Sequence, residues 1–192
     1  MSAKILIQTL LAVASFMIPA IDAQCTPTST PTPCPPPLTG GNVLPNGDFE
    51  YDVAPWTVQK PDSSAVYTIT SPGQAGSKAF EVDLVAPPAT PEYSVNARII
   101  SPALSVVPNT PYQLKFWANF NDVRCGFIGI MVNNSPIMTL DAADHGSASI
   151  GTWTENSVNY TPATDQVTIK FEYLLGPALC HVKTDTITFT PL

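Results

Sequence analysis

The chain has 192 residues, 44% of them hydrophobic and 12% charged, with 21 prolines and 10 glycines. That balance excludes a coiled coil and a wholly disordered chain, and leaves room for one domain of ordinary size. Fifteen acids against eight bases give a net charge of -7, which offers no electrostatic footprint for nucleic acid or for an anionic membrane surface.

Lys4 precedes an apolar stretch at 5–18, followed by Pro19 and the small-residue exit Ala20-Ile21-Asp22-Ala23. This is the layout of a secretory signal peptide over 1–23, and it sets the expected localisation as secreted and extracellular. An apolar stretch of about 14 residues is too short for a membrane anchor. Residues 24–41 are nearly all Pro, Thr, Ser and Gly and read as an extended Pro/Thr-rich linker. Four cysteines, Cys25, Cys34, Cys125 and Cys180, remain after the export signal, an even number in an oxidising compartment. Cys25 and Cys34 flank a short loop, while Cys125 and Cys180 both sit in strand-like sequence, so the expected bridges join Cys25 to Cys34 and Cys125 to Cys180. Zinc is the rival use of these thiols, but no Cys-x-x-Cys pair exists.

From residue 42 to 192 the pattern changes to short β-favouring runs between turn residues. Strands are expected at 43–49, 66–70, 79–85, 94–100, 112–120, 127–132, 137–140, 152–160, 166–175 and 182–189. The clearest alternation sets Tyr112, Leu114, Phe116, Ala118 and Phe120 against Gln113, Lys115, Trp117 and Asn119. Val167, Ile169, Phe171, Tyr173 and Leu175 repeat it against Thr168, Lys170 and Glu172. A period of two with one wet face belongs to antiparallel sheets, so the fold class is all-β, an antiparallel β-sandwich.

Three segments carry a resemblance. NVLPNGDFEYDVAPWTV (42–58), ISPALSVVPNTPYQLKFWAN (100–119) and CHVKTDTITF (180–189) are together similar to the β-sandwich carbohydrate-binding modules of the family 4 and 9 type, built on a galactose-binding-like jelly roll and found in small secreted fungal proteins. The chain departs from that pattern at Thr186, where the second Asp of the closing motif would stand, and at Thr184, where a larger apolar residue is common. The resemblance implies a structural calcium ion where the first and last strands meet, held by Glu50 and Asp185, with Asp48 and backbone carbonyls near Ser77 and Lys78 completing the six to eight oxygens that ion requires.

Sugar recognition needs a flat apolar ring against a pyranose face and a few fixed donors and acceptors for hydroxyls. Trp117 is the expected platform, on the polar phase beside Gln113, Lys115 and Asn119. Phe127, on the polar phase of its own strand, is a second and weaker one. Trp56 is expected as a lid on the core and Trp153 as packing. Asn133 (Asn-Asn-Ser) and Asn159 (Asn-Tyr-Thr) are N-glycosylation acceptors in a secreted chain.

Catalysis finds little support: two histidines, no nucleophile elbow, no His-Glu-x-x-His and no phosphate loop. The expected function is a secreted, non-catalytic, lectin-like domain whose partner is a polysaccharide or other glycan. A second reading of the same residues is an extracellular structural or interaction protein that keeps the fold without a sugar site.

Overall fold

The computed structural model describes residues 41–61, 63–86, 95–176 and 178–192. The expected signal peptide, the linker as far as residue 40 and the Cys25–Cys34 bridge lie outside the described residues.

Twelve strands follow one another along the chain: β1 (Thr57–Gln59), β2 (Ala65–Thr70), β3 (Ala79–Leu84), β4 (Ala97–Ile100), β5 (Leu104–Ser105), β6 (Tyr112–Phe120), β7 (Gly126–Val132), β8 (Ser135–Asp141), β9 (Thr154–Tyr160), β10 (Gln166–Val167), β11 (Ile169–Leu175) and β12 (His181–Pro191). They form two antiparallel five-stranded sheets, ordered β1-β4-β11-β7-β8 (the first sheet) and β2-β3-β12-β6-β9 (the second), with β10 and β5 as a small separate pair. The protein is therefore all-β, an antiparallel β-sandwich.

The alternation in the sequence becomes a layer. From the second sheet, Leu114, Phe116, Ala118, Val182 and Phe189 are buried; from the first, Ile128, Ile130, Ile169, Phe171 and Leu175. Phe116 meets Phe171 edge-on at 5.1 Å across the gap, and Phe80 meets Tyr173 at 5.7 Å. The buried phenols are satisfied: Tyr173 donates to Thr184 Oγ1 at 3.0 Å, and the Tyr112 oxygen accepts from the Val107 amide at 3.0 Å. Burial pushes the Tyr173 phenol well above its ordinary pKa, so it stays a neutral donor. Thr184 thus accounts for one departure from the family pattern: the position needs a hydroxyl to receive Tyr173.

The disulfide joins Cys125, just before β7, to Cys180, just before β12. It therefore staples the first sheet to the second, as the strand-like surroundings of both cysteines implied.

Some elements differ from expectation. Residues 43–49 are not a strand but a sequence of turns, in which Asn46 and Phe49 adopt positive φ of 47° and 54°. The Asn46 side chain organises that loop, with Nδ2 donating to the carbonyls of Asp52 and Ala54 and Oδ1 accepting from the Tyr51 amide. The first strand lies later, at β1. The run 166–175 is split at Thr168, whose amide turns to Asn133 Oδ1 at 2.9 Å.

Candidate functional site

On the outer face of the second sheet, β6 presents Gln113, Lys115, Trp117 and Asn119. Asn159, Ser157 and Glu155 stand opposite the first three on β9, while Lys183 of β12 stands opposite Asn119. Lys115 Nζ pairs with Glu155 Oε2 at 2.9 Å at the solvent-facing surface, with both side chains somewhat under half exposed, and such a pair contributes little stability. Trp117 is half-buried, neither open nor covered, and its indole N–H has no partner among the described residues. The amides of Gln113 and Asn119 are likewise unengaged there. Phe127 belongs to β7 and faces outward from the first sheet. The expected sugar-contacting residues are thus divided between two faces of the sandwich.

The outer face of the first sheet is built differently. Outward residues of β11 (Lys170, Glu172, Leu174) pair with Met131, Gly129 and Phe127 of β7, and on the other side Lys170 and Glu172 pair with Ile100 and Arg98 of β4. Glu172 is only 7% exposed. Arg98 Nε donates to its Oε1 at 2.7 Å, Lys170 Nζ lies 3.1 Å from the same oxygen, and that ammonium also donates to Asn134 Oδ1 at 3.1 Å. Burial pushes the Glu172 carboxyl up, but the hydrogen bonds from Arg98 and Lys170 outweigh it and hold the group below its ordinary range. Beside this triad β7 has Gly129, opposite Glu172 on one side and Thr139 of β8 on the other. A glycine inside a strand weakens it and marks a place where something approaches the backbone closely. A Cβ at Gly129 would meet nothing nearer than 3.9 Å, so the small residue is not demanded by packing. Phe127 closes one end of this floor. Sequence reasoning missed Arg98, Gly129, Lys170 and Glu172 as a set. The outward phase of Lys170 and Glu172 was readable, whereas the register that brings Arg98 and Gly129 beside them depends on long-range pairing.

The three carboxylates expected at a metal ion do not converge as one cluster. The group of three ligand side chains within 4.8 Å of one another among the described residues is instead Glu81, Asp83 and His181, part of a cross-strand network in which Lys183 Nζ also lies 3.2 Å from Glu81 Oε2. Asp185 and Glu50 nevertheless both reach the loop between β2 and β3. Asp185, 1% exposed, accepts from the Gln74 and Thr186 amides, each at 2.6 Å, and has no cationic side chain within ion-pair range among the described residues. Burial raises its pKa above the ordinary range, and the charge of exposed Asp48 raises it further. Glu50 accepts from Ser77 Oγ at 2.6 Å and from the Lys78 amide at 2.8 Å, and the first of these bonds leads in lowering its pKa. A Cβ at Gly73 would lie 2.1 Å from the Lys78 carbonyl oxygen and 2.9 Å from Asp185 Oδ2. Carbonyl and carboxylate oxygens thus converge on a glycine. This donor set is all hard oxygen and fits Ca²⁺ better than a softer ion.

Of the other two tryptophans, Trp56 belongs to the core and Trp153 does not. Trp56 is buried, its Nε1 donates to the carbonyls of Pro45 and Asn46, and its ring meets Phe171 at 6.4 Å; it is the core lid expected. Trp153 is half-buried just before β9. Asn133 is exposed at the β7–β8 turn, and Asn159 is exposed on β9. No helix among the described residues is long and apolar enough to cross a membrane.

The structure is thus a disulfide-stapled antiparallel β-sandwich with polar, aromatic-bearing outer faces. Residues 41–178 match the family described as "Carbohydrate binding domain", and the chain belongs to that family. No curated protein sequence matches it. Among solved structures the fold is similar to a cleaved adhesin domain of Lys-gingipain from Porphyromonas gingivalis, with TM-score 0.57 and 16% identity over 74% of this chain and 94% of that one. It is similar to TmCBM61, solved in complex with β-1,4-galactotriose, with TM-score 0.54 and 16% identity over 79% and 99% of the two chains. A family 16 carbohydrate-binding module has TM-score 0.53 and 18% identity over 78% and 99%. At such identities the likeness concerns the fold.

Proposed function

We propose that this protein is a secreted, non-catalytic carbohydrate-binding domain that lays a glycan across the outer face of the first sheet. One observation carries the reading: a nearly buried Glu172, fixed between Arg98 and Lys170, stands beside the bare backbone of Gly129. Buried ion pairs are weak evidence of stability, since desolvation offsets most of their attraction. They are well suited to hydroxyls, because a rigid carboxylate accepts and a rigid guanidinium donates without reorganisation. The terminal nitrogens of Arg98 have no protein partner among the described residues, leaving donors for a sugar. Gly129 supplies depth in the middle of the floor. Carbohydrate contact at Trp117 is a second reading, favoured by its unpartnered N–H.

Retention on insoluble cellulose, chitin, glucan and xylan tests the proposal, with Gly129→Val as the variant that fills the floor. The expected result is at least tenfold weaker retention by the variant with a thermal midpoint no lower than the parent's. Equal retention by variant and parent removes the site from this face. Absence of parent retention on every polymer, soluble oligosaccharides included, supports the extracellular scaffold instead.

We also propose that Ca²⁺ joins Asp185, Glu50 and the Lys78 carbonyl as a structural ion. It would neutralise the unpaired Asp185 and tie the loop before β3 to the last strand; it would not touch the glycan.

A further inference from the structure

The outer face of the second sheet brings together two features that sequence reading treated separately. Asn159, in the acceptor triplet Asn159-Tyr160-Thr161, is exposed on β9 and stands opposite Gln113. Along the same face follow the pairs Ser157 with Lys115 and Glu155 with Trp117. Four residues of strand separate Asn159 from the level of Trp117, about 13 Å at the usual rise. The side chains of Asn159, Ser157 and Gln113 make no hydrogen bond among the described residues. Lys115 is held by Glu155 at 2.9 Å, and the half-buried indole of Trp117 has a free N–H.

We infer that an N-linked glycan on Asn159 folds back along this face and seats one of its inner sugars on the Trp117 indole, so that the carbohydrate bound by the second sheet is the protein's own. The inference rests on the secretory reading above, because the donor is the lipid-diphosphate-linked oligosaccharide of that pathway. Attachment forms a bond from Nδ2 of Asn159 to the anomeric carbon of the oligosaccharide. The lipid diphosphate leaves, and the displaced amide proton goes with it or to solvent. Three physical arguments support the folded-back arrangement. A partly exposed indole offers an apolar edge to a pyranose face and leaves its N–H for a hydroxyl. Gln113, Ser157 and Lys115 lie along the way with donors and acceptors to spare. Tethering replaces a weak bimolecular contact by an intramolecular one at high effective concentration, so a single ring suffices where a free ligand would need a deeper site. The outer face of the first sheet then remains the open one for external glycan.

The test uses the full chain secreted from a eukaryotic host, as parent, Thr161→Ala (which removes the acceptor triplet and keeps Asn159), Trp117→Ala and the double variant. Glycopeptide mass spectrometry is expected to find Asn159 occupied in the parent. The glycan should raise the thermal midpoint by a few degrees in the parent background and by nothing in the Trp117→Ala background. Independently of whether that variant folds, an N-acetyl methyl of the glycan should show a ring-current shift in the proton spectrum of the parent. An unoccupied Asn159, or an occupied one with no ring-current shift and the same stabilisation with and without Trp117, overturns the inference. So does increased polysaccharide retention on losing the glycan if Trp117→Ala abolishes the gain, since that gives the face to foreign carbohydrate. With Asn159 occupied and its N-acetyl methyl ring-shifted, retention that is unchanged by Thr161→Ala supports it, and total absence of retention bears on the first-sheet proposal alone.

Discussion

Glu172 shows how much a single side chain can decide. Its carboxyl is nearly buried, yet it titrates below the ordinary glutamate range because two cations donate to it. A carboxyl whose folded pKa is depressed adds stability that is complete above its unfolded pKa and is lost as pH falls through the folded one. Glycan retention by the first sheet should therefore persist through mildly acidic solution and fail only below the usual glutamate range. A retention profile on the best polymer, compared between parent and Glu172→Gln, checks this. The variant should retain at least tenfold less polymer at neutral pH and lose the acid limb. It should also be less stable by about 1–3 kcal/mol, the cost of leaving charged donors without their acceptor. An acid limb that survives in the variant would assign the titration elsewhere. The residues of this site were only half legible beforehand. Alternation places Lys170 and Glu172 outward, but nothing local in Arg98 or Gly129 announces that β4 and β7 flank them. Trp117 drew attention because an outward indole is conspicuous in one dimension, whereas a glycine that matters for the space it leaves is not.

Among the elements, β12 carries most of the information about how the sandwich closes. Its pairing with β6 slips between Asp185, still opposite Trp117, and Thr188, and at this bulge the Asp185 carboxylate meets the loop before β3 through the Gln74 amide. Thr186, inside the bulge, has φ of 51°, a conformation that a β-branched residue adopts only under strain. The family pattern has Asp at this position, and Asp or Asn tolerates left-handed backbone far better. The departure at Thr186 thus has a structural cost, although the bulge and its 2.6 Å amide bond to Asp185 Oδ1 persist. Thr186→Asn should raise stability by roughly 1 kcal/mol, seen as an upward shift of a few degrees in calorimetry. A shift downward would mean that the Thr186 hydroxyl, 3.3 Å from Gln74 Oε1, matters more than the backbone. The long strands β6, β11 and β12 were legible because period two runs through many residues of each. The opening loop was misread for the converse reason. Val43, Leu44 and Phe49 look like a strand, but Pro45 and the side-chain bonds of Asn46 impose turns whose apolar residues still reach the core.

At the scale of the whole molecule, the open question is what holds the two ends of the domain together, and Asp185 bears directly on it. Its folded pKa is raised, by burial first and by Asp48 second. For such a carboxyl the sign is opposite to that of Glu172. The folded state binds the proton more tightly than the unfolded chain does, so the ionised group lowers stability at neutral pH, and stability recovers as pH falls through the folded pKa. A bound Ca²⁺ reverses this, because the ion stabilises the ionised carboxylate and must compete with protons for it. The thermal midpoint at neutral pH should therefore be several degrees lower in chelator than in millimolar Ca²⁺. In chelator it should rise on mild acidification, whereas in Ca²⁺ it should fall. Asp185→Asn should collapse both differences while leaving polysaccharide retention at the distant first-sheet face unaltered. If the midpoint is the same with chelator and with Ca²⁺ at every pH, the oxygen cluster around Gly73 is satisfied by its amides alone. The two ends of the domain are then joined by strand pairing and by the Val43 amide, which donates to the Phe189 carbonyl at 3.0 Å, without an ion.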